Sequence, residues 1–107
     1  MKRGEVRWYT FRGPDKRRPV LILTRNSAIP FLGGVTVAPV TTTIRDIPSE
    51  ALLTPEEDGV PALCAVNLDN LQTVQKSQVG ALITTLPSWR MTELELALCF
   101  ALGVDRD

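Results

Sequence analysis

The chain reads as a mainly β protein: a small, strongly curved antiparallel sheet or partial barrel carrying one C-terminal α-helix. Three observations predict this. As far as Leu86 the apolar residues fall in short alternating or continuous runs broken by Gly, Pro, Asn and Asp. After Pro87 the spacing changes to that of a helix, with Met91, Leu94, Leu98 and Leu102 on one stripe and Gly103 behind them as a C′ residue. The length of 107 residues and the apolar content of 44% suit a single domain, residues 1–107, with a real core.

Each element has its own signal. Gly4–Phe11 alternates polar and apolar residues with aromatic and β-branched members and predicts a first strand. Gly13-Pro14-Asp15 supplies turn chemistry. Pro19 suits the opening of a strand and not the middle of a central one, so Val20–Thr24 reads as a strand buried on both faces. Asn26–Pro30 is a connector with room for one helical turn, and Gly33-Gly34 precedes a third strand from Val35 that ends at Pro39. Thr41–Pro48 is polar and reads as a loop, and Glu50–Thr54 as an edge strand. Pro55–Gly59, with Glu56, Glu57 and Asp58, reads as a solvated acidic turn rather than a carboxylate pair for acid–base work. Leu63–Leu68 and Leu71–Val74 are short strands around Asp69-Asn70, and Val79–Leu86 is a further strand. Pro87 at the first helical position and Ser88 as N-cap are competing starts for the helix.

Charge is divided unevenly. Residues 1–25 hold eight of the twelve Lys and Arg against Glu5 and Asp15, a formal +6, and residues 26–107 carry −6. The basic residues concentrate in Arg12–Pro19, a turn-like segment that runs into the apolar Val20–Leu23, and a cationic loop at the start of a buried strand can bind phosphate. The chain has no histidine, which excludes Ser-His-Asp triads, His-paired cysteine nucleophiles and the common imidazole metal sites. Cys64 and Cys99 make neither a zinc cluster nor a disulfide framework and read as buried free thiols. No metal or cofactor is expected. No apolar run has the length of a membrane span and no signal-type stretch follows Met1, so a cytoplasmic location without membrane contact is the default.

The helix carries a second apolar stripe of Trp89, Leu96 and Phe100. A surface helix hides one apolar face, so a second one predicts a homodimer. Trp8 and Tyr9 alternate in their strand, one facing in and the other free to stack a base, with Trp8 expected in the core.

Five fragments occur in order along nearly the whole chain: Gly4-Glu5-Val6, Gly13 followed by Arg18-Pro19-Val20-Leu21-Ile22, Pro39-Val40-Thr41-Thr42, Asp69-Asn70-Leu71-Gln72-Thr73-Val74, and Ala97-Leu98 with Leu102-Gly103. This series resembles the MazF/PemK toxins of type II toxin–antitoxin systems. The resemblance implies an SH3-like barrel of the kind shared by CcdB, MazF and Kid, homodimerisation, a cognate antitoxin, and metal-independent, sequence-specific cleavage of single-stranded RNA that arrests growth. It assigns the chemistry to Arg18 and Thr41. In the segment where the family commonly has two arginines and a second acid, this chain has Gln72, Gln78 and Gln75, a change that bears on RNA preference and dimer contacts.

The implied chemistry stands on its own terms. RNA carries its nucleophile, the 2′-OH, next to the scissile phosphate, so an enzyme needs only to align it and stabilise the charge that grows on phosphorus. A guanidinium such as Arg18 matches phosphate oxygens with a planar fork of donors, and Thr41 offers a hydroxyl. Arg12, Lys16 and Arg17 are expected to touch phosphates, with Thr42 beside them. Asn70 and Gln72 either read base edges of unpaired RNA or close a tight turn. Two other readings compete: a CcdB-like poison of DNA gyrase with no enzymatic activity, and an SH3-like adaptor for polyproline peptides, for which 6% aromatic residues is poor provision.

Overall fold

The computed structural model describes residues 1–13 and 17–104. Among these residues are seven strands: β1 (Glu5–Thr10), β2 (Arg17–Ile22), β3 (Gly34–Thr41), β4 (Glu50–Leu53), β5 (Cys64–Asn67), β6 (Gln72–Gln75) and β7 (Val79–Thr85). Two helices join them, the one-turn α1 (Pro55–Asp58) and the C-terminal α2 (Ser88–Leu102). All pairings are antiparallel, in the order β4-β5-β3-β2-β1-β7, with β6 also paired to β3. The mainly β class with a C-terminal helix is therefore as the sequence predicts. The sheet is open: β4 and β7 are its two ends, and no ladder joins them among the described residues.

Alternation along β2 and β3 feeds two cores. Leu21, Val40, Val66 and Leu94 belong to one apolar cluster, and Val20, Ile22, Val35, Val37 and Val74 to another. Both faces of the central strands are covered, which is why Val20-Leu21-Ile22 is apolar without a break.

The two strand prolines cost no ladder bond. Leu23 N–H donates to Thr36 O, so the backbone polar groups of the odd residues of β2 and the even residues of β3 face each other. The nitrogen of Pro39 therefore faces away from β2, where β3 has finished pairing with β6 at Val37 and begins with β5 only at Val40. That gap lets β3 run through Pro39 to Thr41, beyond the expected end. Pro19 lies inside β2 for a related reason: its nitrogen faces β3, and the β2–β3 ladder starts at Val20.

The acidic segment departs from expectation. Pro55–Asp58 is a helical turn whose N-cap, Thr54, accepts from Glu57 N–H, and Asp58 is buried rather than solvated. Arg90 of α2 is buried with it. Its Nε and Nη2 donate to Asp58 Oδ1 and Oδ2, each at 2.9 Å, and Thr54 N–H donates to Oδ2 at 2.8 Å. Across the same corner Thr84 Oγ1 of β7 donates to Asp58 O, and a Cβ at Gly59 would lie 2.8 Å from that hydroxyl oxygen. Gly59 also has φ +72°, so glycine is required there twice over.

Helix α2 starts at neither expected position. Pro87 is the N-cap, its carbonyl accepting from Arg90 and Met91 N–H, and Ser88 is the first helical residue. Gly103, with φ +70°, ends the helix as expected. Trp8 is half-buried beneath the Arg17 guanidinium, 4.1 Å from its ring centroid, and is not a core residue.

Truncating one partner of the Asp58–Arg90 pair leaves a buried charge unpaired. Arg90→Ala should therefore lower unfolding free energy by about 3–5 kcal/mol in urea titrations, whereas Glu56→Ala, at an exposed site, should leave the midpoint unchanged.

Candidate functional site

The β2–β3 register builds the centre of the site. Val20 pairs with Pro39, and two further steps set Arg18 opposite Thr41 on the face that carries Val20 and Ile22. At this end of the strands the apolar cluster stops. Arg18 and Thr41 line one cavity together with Thr43, Arg45, Glu50, Asn67 and Asn70.

Local bonds hold the rim in shape. Thr41 Oγ1 accepts from Thr43 N–H at 3.0 Å, which turns the chain at the strand end and leaves the hydroxyl proton free to donate. Glu50 Oε1 accepts from Arg45 N–H at 2.9 Å, drawing the loop after β3 towards the first residue of β4. Pairing of Glu50 with Asn67 brings β5 to the cavity. Asn67 Oδ1 then accepts from Asp69 N–H, and Asp69 is tied to the Ser49 hydroxyl, which together set Asn70 on the rim. The cavity thus faces its occupant with two guanidiniums, two threonine hydroxyls, two amides and one carboxylate.

A groove continues from it. Phe11, Arg18, Asn70 and Gln72 line the next stretch, followed by a wider polar one with Tyr9, Arg12, Gln75 and Gln78. Tyr9 and Phe11 meet edge to face at 4.8 Å, an aromatic step in an otherwise polar floor. Arg18, Thr41, Arg12, Asn70 and Gln72 therefore share one groove, and of the two neighbouring aromatics of β1 Tyr9, not Trp8, lines it.

Two expected contacts go elsewhere. Arg17 follows strand alternation onto the opposite face, over Trp8, and Thr42 turns to the same side, where both Trp8 and Thr42 line an apolar cavity with Pro19, Val60, Pro61 and Cys64. Lys16 lies outside the described residues. Thr43, Arg45, Glu50 and Asn67 were not predicted. The available signal was the hydroxyl-rich run Thr41-Thr42-Thr43 with an arginine four positions after Thr41. Nothing local marks Glu50 or Asn67, because strand pairing delivers them.

Both cysteines are free thiols; Cys64 is buried and Cys99 half-buried. Burial pushes the Cys64 thiol up to about 11, with the Asp58 charge adding to the effect. Among the described residues no group of three or more Cys, Asp or Glu converges in a way that could hold a metal ion, and no helix is long and apolar enough to cross a membrane.

An open antiparallel sheet with a C-terminal helix, and a polar cavity lined by an arginine and a threonine at its strand ends, is the fold of the MazF toxins. Residues 2–102 match the family of PemK-like, MazF-like toxins of type II toxin–antitoxin systems, and the chain belongs to that family. It is 42% identical over 106 residues, 98% of this chain and 92% of the relative, to the probable endoribonuclease MazF5 of Mycobacterium tuberculosis. Its fold is similar to that of the Mycobacterium tuberculosis toxin MazF-mt6, with a TM-score of 0.85 at 34% identity over 95% of this chain and 99% of the other. It is likewise similar to a mycobacterial endoribonuclease in complex with its cognate antitoxin, with a TM-score of 0.88 at 27% identity over 100% and 99%.

A thiol raised this far is almost wholly protonated near neutrality. Iodoacetamide treatment of the native protein at pH 8 should leave Cys64 unmodified in peptide mass spectra, and alkylation should appear only after unfolding or towards pH 11.

Proposed function

We propose that this toxin is a sequence-specific, metal-independent endoribonuclease that cleaves single-stranded RNA, mRNA in the cell, and thereby arrests growth. The observation that carries the reading is the β2–β3 register, which sets Arg18 across from Thr41 in one polar cavity continuous with a basic groove. The endoribonuclease names of its relatives point the same way.

In this reading the scissile phosphodiester sits between Arg18 and Thr41. The 2′-oxygen attacks phosphorus in line with the departing 5′-oxygen, giving a 2′,3′-cyclic phosphate and a 5′-hydroxyl. Arg18 donates to the non-bridging oxygens as they gain charge, a task that needs no change of protonation. The Thr41 hydroxyl, already accepting from Thr43 N–H, donates its own proton to a phosphoryl oxygen. Arg12 contacts a neighbouring phosphate, and Lys16 and Arg17 add to the local positive field without reading sequence. Tyr9 and Phe11 offer surface for stacking, and Asn70 and Gln72 offer amides to base edges.

The outer face of α2 supports a homodimer: Leu96 and Phe100 are 59% and 61% exposed, beside exposed Trp89 and Leu102. A cognate antitoxin with an acidic, partly disordered segment would cover the basic groove and order as it binds. A cytoplasmic location follows from a substrate of that kind. A gyrase poison has no use for an arginine and a threonine facing one phosphate, and the catalytic reading is preferred for that reason.

Purified protein incubated with a long single-stranded RNA in EDTA should cut it at short defined sequences, leaving 5′-hydroxyl and 2′,3′-cyclic phosphate ends. Arg18→Ala should slow cutting by about 10²–10³ with an unchanged melting temperature. Cleavage that requires a divalent ion, or intact RNA with trapped gyrase–DNA complexes, would reject this function.

A further inference from the structure

We propose that Glu50 is the general base that removes the 2′-hydroxyl proton, a role that rests on the nuclease reading above. The reaction requires an acceptor for that proton. A guanidinium is a poor general base, a threonine hydroxyl is a weak one, and the chain contains no histidine. Among the described residues Glu50 is the one carboxylate that lines the cavity with Arg18 and Thr41. Asp69, next to Asn70 in sequence, is engaged by the Ser49 hydroxyl and does not line it.

The geometry suits a base. Glu50 opens β4 and is half-buried, and its Oε1 is fixed by Arg45 N–H at 2.9 Å, which leaves Oε2 to take a proton. The charged groups that share its cavity among the described residues are Arg18 and Arg45. Asn67, its partner on β5, is neutral and cannot compete for the proton.

The step balances. The 2′-O–H proton moves to Glu50 Oε2 as the 2′-oxygen bonds to phosphorus. The P–O5′ bond breaks with its electron pair on O5′, which takes a proton from water, and Glu50 later returns its proton to solvent. Arg18 holds the non-bridging oxygens throughout.

Glu50→Gln is the test, because the amide oxygen still accepts from Arg45 N–H and the fold should survive, as a melting curve will show. With parent protein that cuts RNA, the variant should lose about 10²–10⁴ in kcat and bind a substrate with 2′-deoxy sugar at the cleavage site as tightly as the parent. It should also lose the acidic limb of the pH profile, where the parent rate climbs as the base gives up its proton. A 5′-bridging phosphorothioate, whose leaving group needs no proton, should not rescue it. Cutting within threefold of the parent with the same pH profile would overturn the proposal. Rescue by the thio substrate would overturn it too, by making Glu50 a general acid. A slow variant that keeps the parent pH profile and binds the deoxy analogue weakly would reduce Glu50 to positioning. A parent that leaves RNA intact rejects the nuclease itself, an outcome distinct from all of these.

Discussion

The open sheet is held in shape by one buried ion pair. Asp58 and Arg90 meet through two bonds in a fork, and the Asp58 side chain has no exposure to solvent. Around this pair gather Thr54 N–H at the end of β4, Thr84 Oγ1 on β7, Glu93 on α2 and the Trp89 ring, 4.4 Å from the guanidinium carbon. Two edge strands that share no ladder are thereby referred to one point, and the C-terminal helix is fixed to both. A buried pair of this kind contributes little net stability compared with apolar residues of the same shape, because desolvation offsets most of the attraction. What it supplies here is position. The carboxylate accepts three donors, two from Arg90 on α2 and one from Thr54 at the end of β4.

That position reaches the candidate site. Arg18 and Thr41 come from the middle of the sheet, just past the last β2–β3 pair, Val20–Pro39, and are held by their pairing with Tyr9 of β1 and Ala65 of β5. Arg45, Glu50 and Asn67 come from the other limb, the β4–β5 pair and the loop that leads to it. The site is therefore a seam between a rigid centre and an edge whose far end is anchored at Asp58. Residues eight positions apart on one limb, Glu50 and Asp58, serve the two ends of the same device.

Much of this was legible in the sequence, and what was not has definite physical causes. Strand content, the switch to helical spacing after Pro87, the Gly103 cap and the apolar outer stripe of α2 all follow from local patterns. So does the pairing of interest, since an arginine before one buried strand and a threonine after the next are easily brought together by an antiparallel ladder. Strand alternation, however, splits the basic run: Arg18 faces the groove and Arg17 the opposite side, which a contiguous patch of charge conceals. Asp58 looked solvated because its flanks, Pro55, Glu56 and Gly59, have turn chemistry, and its partner lies 32 residues away on a helix. Pro39 looked like a strand end because its tolerance depends on a gap between β6 and β5 that only the full sheet creates. Glu50 sat unnoticed at the head of an edge strand, since no local motif points to a residue whose neighbours are supplied by pairing.

The absence of histidine then makes physical sense with the rest of the site. Groups that act by charge and by hydrogen bonding, such as a guanidinium and a hydroxyl, keep one protonation state across the range in which a cell lives. Their effect depends on where they stand, and adjacent strands of one ladder hold them there with little freedom to reorganise as charge develops. Proton transfer is the one task that such groups perform badly, and it is also the one that needs a residue able to change state. In this chain that residue would have to come from outside the central ladder, since among the described residues β2 and β3 bring only an arginine, a proline and one threonine to the cavity. The edge limb brings the carboxylate. In the proposed reaction, the division between a fixed electrostatic centre and a proton-accepting edge follows from the way the strands are ordered.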